Sequence, residues 1–283
     1  MATVPTTLQE TFEALITGRY GDFAPEVLHG FEAFNPTLET IFAHKSTRAF
    51  KDEALPDGTV ELLAVAAQSA SSSSNLQAWS LVAVQDKARK DKAAEIAGNQ
   101  EFIRQAPLFL VFVADLARLE WVCELENSSA EGLDYFEMFL IAALDAALAA
   151  QNAAVAAQSL GLGICYVGAA RNKPRELAAH LELPPRTVAI FGLAVGIPQD
   201  DLTTTIKPRL PQPGLLHYET YNTQNWESEV RDYNEGIGEF YAQQGLPNPS
   251  WTKTSAKRVG TKESLGRRWE LKQILRERGF ELK

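Results

Sequence analysis

Four short polar stretches hold the residues of this chain best suited to chemistry. The first is HKSTR at 44–48, where Lys45 and Arg48 bring charge, Ser46 and Thr47 bring hydroxyls, and His44 can donate. Charge-assisted hydrogen bonds to an anion are worth about 1.5–3 kcal/mol each, so this group suits an anion grip. The second is SASSSSNLQAWS at 69–80, with Ser72, Ser73 and Ser74 inside a four-serine run and Asn75 and Gln77 after it. Its hydroxyls and backbone N–H groups suit a polar ring or a phosphate, and a solvated helix-to-strand connection is the competing reading. The third is Tyr166, Val167, Gly168 and Ala169 at a strand end, with Arg171 behind them. The fourth is KPR at 207–209, where proline fixes the backbone between Lys207 and Arg209. Alone, that triplet reads as a solvated turn; beside the first stretch it adds two charges to an anion site.

What is missing narrows the chemistry. There is no GxxxxGK and no GxGxxG, so neither a nucleotide triphosphate nor a Rossmann-held dinucleotide is indicated. GxSxG, HExxH and paired catalytic carboxylates are absent too. Little acid–base or covalent machinery is left, as expected when a cofactor performs the reaction. Cys123 and Cys165 are the only cysteines, and His29, His44, His180 and His217 have no ligand spacing. No disulfide framework and no metal are expected.

The elements that must position these stretches alternate. Residues 1–34 look like an appendage, with Leu8, Phe12, Leu15 and Ile16 on one face of a short helix broken at YGDF, 20–23. Asn35 caps a new start near Leu38. Helices are predicted over 59–69 and 87–97, and strands over 80–85, 106–114, 165–167 and 187–195. The alanine-rich segment 134–160 predicts a helix about 40 Å long. A helix so apolar needs cover on most sides, either from a second subunit or from inside a monomer. A Pro-, Thr- and Asn-rich excursion fills 198–225. A helix follows over 227–244, and 253–283 is basic and helical near its end.

The 283 residues are 45% hydrophobic, enough for a sizeable core, and the net charge of -9 argues against general nucleic-acid binding. The N-terminus lacks the basic start and apolar core of a signal peptide. The apolar tract 136–167 is interrupted by Glu137, Asp145, Gln151, Asn152 and Gln158, which a membrane span rarely carries. A soluble, cytoplasmic protein without membrane or nucleic-acid partners is expected.

The order HKSTR, SSSSNLQAWS, GNQEF, SLGLGICYVGAARN, FGLAVGIP and KPRLP resembles the nitroreductase family over about residues 36–215. It is similar in particular to the oxygen-insensitive NADPH nitroreductase and NADPH–flavin oxidoreductase branch. The resemblance implies an α+β, FMN-dependent fold: a central mixed sheet flanked by helices, a long dimer-interface helix and an extended C-terminal arm. The division would be an appendage at 1–34, an FMN-binding core at 35–215 and a helical arm at 216–283.

It also implies a homodimer holding FMN at two interface sites, with NADPH or NADH as hydride donor. His44, Ser46, Lys207 and Arg209 would serve the phosphate, Arg48 the pyrimidine edge, and Lys45 would also bind the cofactor. Ser72, Ser73, Ser74, Asn75, Gln77 and Gln100 would line the cofactor. Tyr166, Val167, Gly168 and Ala169 would run along one ring face. Arg171, Lys262 and Arg267 would meet substrate. Nitroaromatics, quinones or free flavin would be reduced by ping-pong hydride transfer at the flavin N5, with no catalytic side chain. Reductive dehalogenation, flavin breakdown or a non-catalytic flavin sensor are the alternatives on the same fold.

Three departures from the family pattern stand out. Ala169 stands where a second glycine is common, and Lys45 where an arginine is. KES at 262–264 is followed by Leu265 and Gly266 before Arg267 and Arg268, instead of directly by arginine, and Lys257 and Arg258 lie nearby.

Overall fold

The computed structural model describes residues 8–21, 24–25, 34–202, 204–247 and 250–283. Residues 1–7 and 26–33 of the expected appendage, the Leu8 side chain, and Asp22 and Phe23 of the expected break lie outside them. The chain forms two compact units, Met1–Lys45 with Thr203–Ser264, and Ser46–Leu202 with Leu265–Lys283. The segment expected to form one C-terminal arm is therefore shared between the two.

The larger unit is built on four strands: β1 (Trp79–Val84), β2 (Leu108–Asp115), β3 (Gly163–Val167) and β4 (Thr187–Gly196), in the order β1-β2-β4-β3. The α+β class stands, with one correction to the mixed sheet. All three strand pairings are antiparallel, and parallel pairing is confined to the isolated bridge between Ser46 and Ile164. A buried apolar run carries no mark of its partner's direction, so the pattern of β2 or β4 alone left this open.

β2 is buried along its whole length. Its alternating side chains serve two cores. Phe109, Val111 and Val113 face Ala93 and Ile96 of α4 (Lys87–Ile96), Ile103 of α5 (Glu101–Gln105) and Leu177 of α8 (Pro174–His180). Leu108, Leu110 and Phe112 face Leu63 and Ala67 of α3 (Thr59–Gln68) and the alanines of α7 (Phe136–Ser159). Truncating Phe112 to alanine would cost about 3–5 kcal/mol.

α7 has two faces. Ala142, Ala146, Ala149, Ala150, Ala153 and Ala157 lie fully buried, and their small side chains let the helix approach the sheet closely. Phe136, Leu140, Leu144 and Leu148, one per turn, form an exposed apolar stripe. By length and composition α7 is the one helix among the described residues apolar enough to cross a membrane. Its Asp145, however, is buried and committed to a loop of this unit.

The smaller unit is helical. α1 (Leu8–Tyr20) buries Phe12 and Ile16 against Phe34, beside Leu38 and Phe42 of α2 (Pro36–Phe42). The Phe12 and Phe34 ring centroids are 5.0 Å apart. Asn35 caps α2, its side chain accepting from the N–H groups of Thr37 and Leu38. α9 (Trp226–Gln243) buries Tyr233, Ile237 and Phe240 against Leu210 and Trp251, and Trp251 opens α10 (Trp251–Val259).

Candidate functional site

In the sheet unit the residues of interest gather in two places. The first is the end of β3. Thr47 N–H donates to the Ile164 carbonyl at 2.8 Å, laying the segment 46–48 along this edge strand. Gly163 permits the approach, because a Cβ there would lie 2.6 Å from the Thr47 side chain. Arg48 is exposed and reaches Cys165, whose thiol is pushed up by burial against the opposing pull of that guanidinium. Tyr166 sets its ring edge-on to Phe191 and donates its hydroxyl to Gln151 at 3.3 Å; burial pushes the phenol up to about 12. The Val167 side chain belongs to the core, so only its backbone is left for a ligand.

Gly168 opens the turn Gly168–Arg171 that follows β3. A Cβ on it would meet Arg171 Nη2 at 3.5 Å and Arg268 Nη1 at 4.0 Å, so two guanidiniums flank a bare backbone. Arg171 is half-buried and donates to the Ile190 carbonyl, and burial lowers its guanidinium below the ordinary value. Arg268 donates from Nε to Asn172 Oδ1 at 2.9 Å. Asn172 also approaches the turn carrying Gln100: a Cβ on Gly98 would lie 3.3 Å from Asn172 Nδ2 and 3.7 Å from Gln100 Nε2. Gln100, Gly168, Arg171, Asn172 and Arg268 thus form one polar cluster. The expected Arg267 is not the arginine that faces Gly168. It is exposed and pairs with Glu270 at 3.5 Å.

The second place is the serine loop. Asp145 of α7, 2% exposed, collects three donors from it: the Ser72 hydroxyl at 2.7 Å, Ser73 N–H at 3.1 Å and Ala78 N–H at 3.2 Å. Ser72 Oγ in turn accepts from Gln77 N–H at 2.7 Å. That hydroxyl therefore closes the loop. Ser74, Asn75 and Gln77 all take left-handed backbone, with φ of 49°, 55° and 49°. Short polar residues tolerate this conformation best, and the carboxylate holds the turn in it. Ser73, Ser74 and Asn75 remain exposed, and the Gln77 carbonyl is taken by Arg118 at 3.0 Å.

In the helical unit a third group forms around Arg19, the penultimate residue of α1. Arg19 donates from Nη1 to the Lys207 carbonyl at 2.9 Å, and from Nη2 to those of Phe42 at 2.9 Å and His44 at 3.1 Å. Its own carbonyl accepts from Arg209 N–H at 3.0 Å. His44 and the 207–209 segment are thereby drawn together. Lys207 Nζ sits over the rings of Phe240 and Tyr241, at 5.8 and 5.1 Å, and donates to the Tyr241 hydroxyl at 3.1 Å. The Arg209 guanidinium folds back onto the carbonyls of Lys207 and Pro208, each at 3.2 Å. Lys45 turns to a groove it shares with Tyr20, Pro208 and Phe240. Lys262 lies in an exposed turn where Ser264 and Thr261 bond each other.

Sequence reasoning passed over Arg19, Asp145 and Asn172. Asn172 stood inside a motif already singled out. Asp145 was visible as a lone charge on an alanine helix. Arg19 offered no signal, since its partners are carbonyls 23, 25 and 188 residues away.

Comparison with known proteins identifies relatives of this chain. Residues 41–197 match the Nitroreductase family, and residues 207–283 match the Nitroreductase family, C-terminal domain. The FMN reductase (NADPH) of Bacillus subtilis (strain 168) is 38% identical over 223 residues, covering 77% of this chain and 89% of that protein. Among solved structures, B. megaterium NfrA2 superposes with a TM-score of 0.82 at 37% identity, over 88% of this chain and 99% of that one. The NADPH:FMN oxidoreductase from Vibrio harveyi complexed with NAD+ does so with a TM-score of 0.78 at 30% identity, over 88% and 100%. A bare glycine between two arginines after an edge strand, the motif order along the chain and these likenesses lead to one statement: this chain belongs to the nitroreductase family.

Proposed function

We propose that the chain is an FMN-dependent NAD(P)H oxidoreductase, cytoplasmic and homodimeric, that reduces nitroaromatics, quinones or free flavin. The observation that carries the reading is the cluster at the end of β3. There the Gly168 backbone is uncovered by any side chain of its own, and Arg171 and Arg268 stand beside it. This donor set fits an isoalloxazine ring: a flat group can lie against the glycine, and the two cations favour electron-rich, anionic states next to it. When bound, FMN supplies hydride transfer, accepting from NAD(P)H and giving to a second substrate in alternation.

The chain's own residues bind and orient. Tyr166, Val167, Gly168 and Ala169 offer backbone and ring edge to one flavin face, with Arg48 and Gln100 for its polar rim. Arg171 and Arg268 orient an acceptor with anionic or nitro oxygens. Ser73, Ser74 and Asn75 offer hydroxyl and amide groups. In the helical unit His44, Lys207 and Arg209 are the partners offered to a phosphate, with Ser46 following in the chain. The homodimer is supported by the sheet order. The serine loop leads into β1 and Gly168 follows β3, and these are opposite edge strands, about 14 Å apart at ordinary strand spacing. Two copies can bring both to one flavin, and the leucine stripe of α7 gives them an apolar face to share.

Protein purified in the dark should be yellow and should bleach anaerobically with NADPH or NADH. Titration with each nicotinamide, then a panel of acceptors, defines donor and acceptor. Colourless protein that takes up no FMN on reconstitution overturns the reading.

A further inference from the structure

The family match begins at residue 41, so α1 precedes the matched residues. Yet α1 contributes the most connected side chain near His44 and Arg209. Arg19 binds three backbone carbonyls from two distant segments, and the last turn of α1 takes the Arg209 N–H on the Arg19 carbonyl. That carbonyl is one of the orphan acceptors every helix leaves at its C-terminal end. The guanidinium is half-buried, and burial first, then the neighbouring charge of Arg209, lowers it below the ordinary arginine value.

We propose that Arg19 is a positioning residue for phosphate binding: it turns the carbonyls of His44 and Lys207 inward, so that the side chains of His44 and Arg209 can meet the FMN phosphate. The inference rests on the function proposed above. Its physics is direct. Carbonyl oxygens facing a phosphate dianion repel it, and an arginine fork that takes up three of them removes that repulsion and fixes the spacing of the two segments. The main-chain oxygen of Lys207 also accepts from Arg209 Nη1, so loss of Arg19 leaves that carbonyl held by Arg209 alone.

The test uses the full chain stripped of flavin, in four forms: wild type, Arg19→Ala, Arg19→Lys and Arg209→Ala. Each is titrated with FMN and with riboflavin, which lacks the phosphate, by flavin fluorescence. In Arg19→Ala, FMN affinity should fall about 10-fold while riboflavin affinity stays within about 2-fold. Arg19→Lys should restore most of the loss, and Arg209→Ala should lower FMN selectivity in the same sense. Equal loss of both flavins in Arg19→Ala would mean a merely structural role and overturns the inference. So does unchanged FMN affinity in Arg19→Ala when the wild type prefers FMN to riboflavin, and in that case the function proposed above still stands. A wild type that binds neither flavin overturns both. If Arg19→Ala does not fold, Arg19→Gln, which keeps the stem and loses the three-carbonyl fork, decides: a lowered FMN-to-riboflavin ratio supports the inference, and a ratio equal to that of the wild type overturns it.

Discussion

The serine loop and the 207–209 segment are held by anchors of opposite sign. In the sheet unit a buried carboxylate, Asp145, gathers two N–H groups and a hydroxyl. In the helical unit a half-buried guanidinium, Arg19, gathers three carbonyls. Each anchor decides which half of the peptide is spent internally and which half is left to face a ligand. A loop held this way keeps the side chains of Ser73, Ser74 and Asn75 on view. A segment whose carbonyls are taken is left with cationic side chains and little to repel an anion.

The largest expected effect is at the buried anchor. Asp145→Ala strands the Ser72 hydroxyl and the N–H groups of Ser73 and Ala78, and each unsatisfied group costs about 1–3 kcal/mol. Denaturant unfolding should show a loss of about 3 kcal/mol or more; a loss under about 1 kcal/mol would mean the loop does not depend on this carboxylate.

The helical unit should respond in affinity rather than stability. Arg209→Ala removes one charged partner of the proposed phosphate, worth about 1.5–3 kcal/mol, and FMN should dissociate about 10- to 100-fold more readily with little change in melting temperature. Equilibrium dialysis measures it, and unchanged retention would move the phosphate site elsewhere.

The outward face of α7 gives the next test. Leu144 is 53% exposed, so Leu144→Lys should leave the fold of one chain intact and shift the protein toward monomer in sedimentation velocity. A dimer of unchanged strength would exclude this stripe as the interface.

The smallest effect belongs to an anchor at the surface. Asp134 is held below the usual carboxylate range by its hydrogen bond from Lys283, then by that from Arg186. A depressed folded-state value stabilises above the unfolded aspartate range of about 3.9, and the contribution is lost as pH falls through the lowered folded value. Lys283→Ala should therefore differ from wild type in melting temperature near neutrality, with the difference shrinking as pH falls below about 3.9 toward the lowered folded value. A difference that persists in acid would assign the effect to packing of the C-terminal residues.

Much of the frame was legible in the sequence because it rests on local pattern. The unbroken apolar run of β2, the alanines of α7 and the Asn35 cap each announce themselves within a few residues. α6 (Ala117–Leu125) did not, and it buries no residue completely, so it has no core-facing period to detect. α8 is seven residues long, and only Pro174 at its first turn marked it. Strand direction was not legible, since pairing is decided by packing between distant segments. The site divides the same way. Gly168 and Arg171 sit in one motif, whereas Arg268 comes to Gly168 from the C-terminal segment. The partner of the Ser72 hydroxyl, a carboxylate 73 residues on, was not legible for the same reason.

α7 presents Asp145 to a loop, alanines to the sheet and leucines outward, each at a fixed angle around its axis. Inserting one residue ahead of Asp145 would swing everything N-terminal to it by about 100° relative to the rest. Leu140 and Leu144 would then turn from the open side toward the half-buried flank that Phe139 and Ala143 now occupy, while the alanines after the insertion kept their seat on the sheet. A change in the length of this helix should therefore disturb the fold more than an exchange of one small residue for another.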